Sequence, residues 1–277
     1  MPTYTLASTT RIFYKLEGNP ENPLLVLAHG YGSNCSTFDK IFPLLIDRYY
    51  ILRWDHRGHG QSDAPTGIKY EETLPLYTIS QLALDLHEIL VGLSLITRSN
   101  IYYYGHSMGG MVLLQFMTYF PNICTAVIIG SSTAGDDSGS IIEQVEGIKA
   151  GNIILDEEYF KGSTKKGYTR KFAKENPSII KEEIERKLSM NPLILTVLLE
   201  NMAYHYDLYQ ELKNINVPTL ILHGGRDQTL HHIFGIKLHD TLPNSLFIKI
   251  PKMSHGINYE IPEKVAKHIS NFILLHN

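Results

Sequence analysis

Ser107 sits in the run Gly105-His106-Ser107-Met108-Gly109-Gly110, a G-x-S-x-G pattern. Where such a pattern joins a strand to a helix, the glycines permit a turn tight enough to strain the serine backbone and lift its hydroxyl clear. A serine hydroxyl is a weak nucleophile near neutral pH. It needs a base for its proton, a group to orient that base, and donors for the oxyanion that forms when it attacks a carbonyl. His255, in Met253-Ser254-His255-Gly256, is a candidate base in a short loop between the last predicted strand and the last helix. Asp227 follows the penultimate predicted strand in His223-Gly224-Gly225-Arg226-Asp227 and is a candidate orienting acid.

These three residues can meet only if the chain brings their loops to one edge. The β-prone run Ile101-Tyr102-Tyr103-Tyr104 precedes Ser107, and the apolar run Met111 to Met117 follows it, so strand, turn and helix surround the serine. Two short strands are expected between Tyr4 and Leu16, turning at Ser8-Thr9-Thr10. Buried strands are expected at Leu24 to Ala28 and Thr125 to Gly130, and further strands at Tyr50 to Trp54, Val217 to Leu222 and Ser245 to Ile250. Helices are expected at about 37–46, 78–93, 231–242 and 262–275; in the second, Ile79, Leu82, Ala83, Leu86, Ile89, Leu90 and Leu93 recur at helical spacing. This alternation predicts an α/β fold, a mostly parallel twisted sheet flanked by helices on both faces. Such sheets place their sites at the carboxyl ends of the strands, where the Gly-rich loops fall.

The segment from 134 to 216 breaks the pattern and reads as a helical cap inserted into a core domain of residues 1–133 and 217–277. Asn176-Pro177 has the form of an N-cap with Pro at the first helical position, opening a helix with Ile180, Ile184 and Leu188 on one face. Asn191-Pro192 repeats the device and opens Leu193 to Tyr206, apolar on most sides, which places that helix between cap and site.

With 43% hydrophobic and 19% charged residues among 277, the chain can bury a large core. A net charge of −3 gives no electrostatic reason to expect nucleic acid or an anionic membrane as partner. No apolar run approaches the roughly 20 residues of a spanning helix, and the N-terminus has no signal-like apolar stretch. Two cysteines, Cys35 and Cys124, are too few for a disulfide scaffold, and Cys124 falls in a predicted buried strand. Reduced thiols and a cytoplasmic location are the expectation. The Asn34-Cys35-Ser36 sequon is then incidental. The pairs His56/His59 and His231/His232 lack further ligands at a metal-binding spacing, and Gly58-His59-Gly60 lacks a dinucleotide fingerprint, so no metal or cofactor is expected.

The loops His29-Gly30-Tyr31-Gly32, Asp55-His56-Arg57-Gly58-His59-Gly60-Gln61-Ser62, Gly105-His106-Ser107-Met108-Gly109-Gly110, Gly224-Gly225-Arg226-Asp227 and Ser254-His255-Gly256 stand in order along the chain. In this the sequence resembles the α/β-hydrolase superfamily over its whole length, and its capped esterase and enol-lactonase branch in particular. The resemblance implies that Ser107 attacks a carbonyl, His255 takes and returns the proton, and Asp227 holds the useful His255 tautomer. It implies oxyanion donors at the backbone N–H of Met108 and of Tyr31. His29, Gly30, Gly32, His106 and Gly109 would support these loops, and Asp55 and Arg57 would organise theirs. Asp136 and Asp137 are a rival acid pair, because some relatives carry the acid one strand earlier. The implied function is a cofactor-free carboxylic ester hydrolase acting on an ester or lactone of a small to medium apolar substrate. The alternatives are a receptor-type relative that binds ligand with slow turnover, an acyltransferase, a peptidase or a carbon–carbon bond hydrolase. The compact lid associated with the receptors is smaller and more regular than this cap, which ranks the sensor second.

Overall fold

A computed structural model of the chain describes residues 2–135 and 139–277. Strands β1 (Thr3–Thr5), β2 (Arg11–Glu17), β3 (Leu24–Ala28), β4 (Tyr50–Trp54), β5 (Ile101–His106), β6 (Ala126–Gly130), β7 (Thr219–Gly224) and β8 (Ser245–Ile250) form one sheet in the order β1-β2-β4-β3-β5-β6-β7-β8. The pairs β1/β2 and β2/β4 are antiparallel and every later pair is parallel. β3 and β5 are buried along their whole length, which suits their unbroken apolar runs. Their side chains alternate between two cores: Leu24, Val26 and Tyr103 face one, and Leu25, Leu27, Tyr102 and Tyr104 face the other.

The helices between strands cover both faces. α1 (Tyr70–Thr73) precedes α2 (Ile79–Gly92), whose N-cap Thr78 accepts from the Gln81 N–H. α2 and α3 (Met108–Tyr119) supply the first core, including Leu82, Leu86, Val112 and Phe116. The second core is closed largely by the C-terminal helix and by Phe38, Ile41 and Leu45. β4 lies on one side of β3 and β5 on the other, so the loops leaving β3 and β5 part at the sheet's centre. Open α/β sheets bind ligands in such a crevice.

Between β6 and β7 the chain makes α4 (Ser140–Lys149), α5 (Glu157–Lys166), α6 (Arg170–Glu175), α7 (Pro177–Leu188) and α8 (Pro192–Tyr204). α4 packs on α8, and α5 packs on α7. An isolated antiparallel bridge between Gly135 and Asp207, with Leu208 N–H donating to the Ala134 carbonyl at 2.8 Å, closes the neck of the insertion. After β7 come α9 (Ile233–Thr241), β8, α10 (Ile257–Glu260) and α11 (Pro262–Leu274). Among the described residues no helix is long and apolar enough to cross a membrane.

Several local expectations need correction. The helix expected at 37–46 is two short 3₁₀ turns, Cys35–Phe38 and Phe42–Leu44, because Pro43 cannot donate its backbone hydrogen bond and crowds the preceding turn. Asn176 stands at the N-cap of α7 with Pro177 after it, as expected, but its side chain makes no capping bond: its Nδ2 donates back to the Phe172 carbonyl at 3.1 Å, at the end of α6. Asn191 does cap α8, accepting from Leu193 N–H at 3.0 Å. Ile180 and Ile184 are buried, but Leu188, the last residue of α7, is 43% exposed. Cys124 is buried but lies in the turn before β6 and not in the strand.

Candidate active site

Ser107 joins β5 to α3 with φ 56° and ψ −124°, a backbone region that costs a non-glycine residue on the order of 1–3 kcal/mol. Surrounding bonds hold it there. Its N–H donates to the Gly130 carbonyl at 2.8 Å, while its own carbonyl accepts from Gly110 N–H at 2.8 Å and Met111 N–H at 3.2 Å. Ser132 Oγ donates to the same carbonyl at 2.8 Å. The flanking glycines are needed for space: a Cβ at Gly105 would lie 2.4 Å from the Gly109 carbonyl oxygen, and one at Gly109 would lie 2.0 Å from the Ala28 carbonyl oxygen.

The loops after β7 and β8 cross just as tightly, since a Cβ at Gly224 would lie 2.0 Å from the Ser254 carbonyl oxygen. This crossing brings His255 Nδ1 to 2.7 Å from Asp227 Oδ2. The other carboxylate oxygen accepts from the N–H groups of Thr229 at 2.8 Å and Leu230 at 2.9 Å. Burial alone would raise the Asp227 pKa, but His255 and His223 outweigh it and hold the carboxyl well below the usual carboxylate range. With Asp227 ionised, His255 Nδ1 carries the proton and Nε2 is left to accept one. His223 lies beneath the pair, its Nε2 donating to the Leu230 carbonyl at 2.9 Å and standing 3.4 Å from Asp227 Oδ2. His106 Nε2 donates to the His255 carbonyl at 2.9 Å, and burial pushes its pKa down to about 3, so it braces the loop as a neutral ring.

The loop after β3 flanks the serine. A Cβ built on Gly30 would lie 3.1 Å from Ser107 Cβ and 3.6 Å from its Oγ. Neither Tyr31 N–H nor Met108 N–H has an acceptor among the described residues, and Met108 opens α3, where helical N–H groups are unpaired. The Tyr31 hydroxyl donates to the Leu195 carbonyl of α8 at 3.2 Å.

Behind this loop three buried histidines interlock. His29 Nδ1 donates to the Gly30 carbonyl at 2.8 Å and its Nε2 accepts from His56 N–H at 3.0 Å. His59 Nδ1 donates to the Arg57 carbonyl at 3.1 Å and its Nε2 accepts from Gly32 N–H at 3.3 Å. Burial drives the His56 pKa to about 3 and that of His59 to about 4. Burial, with repulsion from both neighbours, puts His29 well below its ordinary value. His29 and His59 spend both ring nitrogens on backbone, and His56 Nε2 donates to the His29 carbonyl at 3.1 Å while its buried Nδ1 has no partner among the described residues. Among the described residues no three His, Cys, Asp or Glu side chains are grouped to hold a metal. Asp55 accepts from Cys35 N–H and Gln61 N–H, both at 2.8 Å, and Arg57 makes two 2.6 Å bonds to the buried Asp85 carboxylate.

Ser107, His255, Gly30 and Tyr31 open into one cavity of about 180 Å³. Met111, Ile141, Phe160, Leu199, Met202 and Leu230 give it apolar walls, and Thr164, Tyr168, Glu183, Lys187 and Tyr259 add polar atoms. The insertion is tied to the His255 loop: Gly256 N–H donates to the Gly167 carbonyl at 2.7 Å and Ser254 Oγ to the Lys166 carbonyl at 3.1 Å. Asp136 and Asp137 lie outside the described residues.

The parallel sheet with its helical insertion is shared with known hydrolases. The family model described as serine aminopeptidase, S33, a hydrolase family, matches residues 19–262. The chain is an α/β hydrolase of that family. It is 28% identical over 274 residues to the uncharacterized hydrolase YugF of Bacillus subtilis (strain 168), covering 95% of this chain and 94% of that protein. It is 23% identical over 261 residues to 3-oxoadipate enol-lactonase 2 of Acinetobacter baylyi, covering 93% and 91% of the two chains. Among solved structures, the enol-lactonase from Burkholderia xenovorans LB400 superposes with a TM-score of 0.85 at 20% identity, covering 99% of this chain and 100% of that one. A thermophilic esterase from Thermogutta terrifontis gives 0.84 at 22% identity, covering 100% and 99%.

Four residues at the candidate site escape sequence reading. Ser132 could have been suspected from its place at the end of β6, and His223 from its place at the end of β7. Glu183 and Lys187 carry no such signal, because charged residues on an amphipathic helix ordinarily face water.

Proposed function

We propose that this α/β hydrolase cleaves an ester or lactone of a small to medium, largely apolar substrate through an acyl-enzyme on Ser107. The observation that carries the reading is the 2.7 Å bond from His255 Nδ1 to buried Asp227, which leaves His255 Nε2 as a base in the cavity that Ser107 enters. Ser107 Oγ attacks the carbonyl carbon as its proton passes to His255 Nε2, and the C=O electrons move onto oxygen. The unpaired N–H groups of Tyr31 and Met108 receive that oxyanion, each worth roughly 3 kcal/mol of barrier. Collapse expels the alkoxide, which takes the proton from His255. Water then repeats the sequence on the acyl-enzyme and restores Ser107. Residues 134–216 act as the cap that selects the substrate, and no cofactor enters the scheme.

The test is turnover on a panel of p-nitrophenyl esters and lactones. Repeated, rapid turnover of short esters is the expected result; a single slow turnover with ligand-dependent loss of thermal stability would favour a sensor. A second reading, cleavage of an N-terminal amide, is supported by the family's description and by the Glu183 carboxylate in the cavity wall. Faster hydrolysis of aminoacyl anilides than of the esters would favour it.

A further inference from the structure

We propose that Lys187 gives the cavity an anion-binding subsite, so that the preferred acyl substrate carries a carboxylate beyond its scissile carbonyl. The inference rests on the serine-hydrolase reading above. α7 presents Glu183, Arg186 and Lys187 at i, i+3 and i+4, which puts them on one side of the helix, and Glu183 and Lys187 line the cavity. The Lys187 stem runs over the loop that carries Gly30 and Tyr31: a Cβ built on Gly32 would lie 2.9 Å from Lys187 Cγ and 3.4 Å from its Cε. Its Nζ donates to Thr164 Oγ1 at 2.8 Å, and Thr164 is itself buried near the end of α5. That end roofs the histidine, for a Cβ at Gly167 would lie 3.2 Å from the Thr164 carbonyl oxygen and 4.0 Å from His255 Cβ. The ammonium is therefore bracketed between two segments that touch the reacting groups.

Charge at this spot is unbalanced. An ammonium has three donors, and Thr164 takes one. Among the described residues no carboxylate oxygen lies within the 4.0 Å of an ion pair with Nζ. Desolvation lowers the Lys187 pKa despite the pull of Glu183. Glu183 has its own company in Arg186 and the Tyr168 hydroxyl, and Arg186 reaches Ser33 Oγ at 3.3 Å. One carboxylate against two cations leaves one positive charge for a ligand to match. A carboxylate on the substrate would accept the remaining Nζ donors in a charge-assisted bond.

The experiment compares mono-p-nitrophenyl esters of glutaric, adipic and suberic acids with the matching ω-carboxamides, which have the same shape and no charge. The wild-type enzyme should prefer the acid at one chain length. Lys187→Gln should lower the acid-to-amide ratio of kcat/KM on the order of 10- to 100-fold, chiefly through KM, and Lys187→Arg should keep much of the preference. A Lys187 that merely props α7 on α5 would lower both members of each pair and leave the ratio unmoved, which overturns the proposal. So would a wild-type preference for the carboxamides or for aminoacyl esters. A binding readout separates this failure from failure of the hydrolase reading. Adipamate should raise the Tm of the wild type and of Ser107→Ala but not of Lys187→Gln, whether or not esters are cleaved. No shift in any of the three overturns the subsite.

Discussion

Asp227→Asn is nearly isosteric and tests how the site orients its base. In the native arrangement Oδ1 accepts two backbone N–H groups, from Thr229 at 2.8 Å and Leu230 at 2.9 Å, while Oδ2 receives the His255 proton at 2.7 Å. An asparagine must keep its only oxygen on the two backbone donors, because turning it round would leave both N–H groups buried against an NH₂. Its amide nitrogen then faces His255 Nδ1, and also His223 Nε2, which stands 3.4 Å from Oδ2. A donor facing Nδ1 drives the imidazole proton to Nε2, the atom that must be empty to accept the Ser107 proton. The charge that would stabilise the imidazolium is lost at the same time. Loss of the correct tautomer typically costs about 10⁴ in kcat, which is about 5 kcal/mol of barrier at 1.36 kcal/mol per decade. The assay is kcat and KM for p-nitrophenyl butyrate near neutral pH, with circular dichroism to establish that the variant is folded. KM should move little. A folded Asp227→Asn enzyme whose kcat stays within about tenfold of wild type would refute the orienting role.

Two further outcomes follow from groups behind the site. His29, His56, His59 and His106 all titrate below their ordinary value in the folded chain, His56 and His106 at about 3 and His59 at about 4. The unfolded chain therefore binds more protons as pH falls from about 6.5 toward 4, and each of these rings should cost about 1.4 kcal/mol of stability per pH unit in that window. Urea midpoints measured across it should fall steeply, and His59→Gln should reduce the slope by about one proton; a flat profile would show that these rings are not held neutral. Asp85→Ala leaves the Arg57 guanidinium, 2% exposed, without its carboxylate, and should destabilise the fold by about 3–5 kcal/mol in urea unfolding. A loss below 1 kcal/mol would mean that water or a shift of α2 replaces the pair.

The residues that carry the proposed chemistry were legible because backbone geometry demands particular residue types there. Only glycine fits where Gly105 meets Gly109 and where Gly109 meets Ala28, so the elbow announces itself as a spacing. Asp227 and His255 could be read because a parallel sheet puts every strand's carboxyl end on one edge. The central strands β3 and β6 were legible as unbroken apolar runs, and the sheet order places β3 and β5 side by side. The failures are local or tertiary. Helical spacing at 37–46 was outweighed by Pro43, and Asn176 had a second use in ending α6. Lys187 reads as a solvated residue until α7 packs on α5 and turns its stem over Gly32, a contact between segments 155 residues apart in the chain (187 − 32). Roles for cap side chains are set by such packing and have no one-dimensional signature.

The central claim is that Ser107 is the nucleophile. The most direct measurement is intact and peptide mass spectrometry after reaction with a fluorophosphonate, run in parallel on wild type and Ser107→Ala. One adduct per chain is predicted, on the peptide containing Ser107, with p-nitrophenyl ester turnover lost in step with labelling and on the order of 10⁶ lower in the folded Ser107→Ala variant. Labelling at another residue, or a Ser107→Ala enzyme that retains most of its turnover, would contradict it.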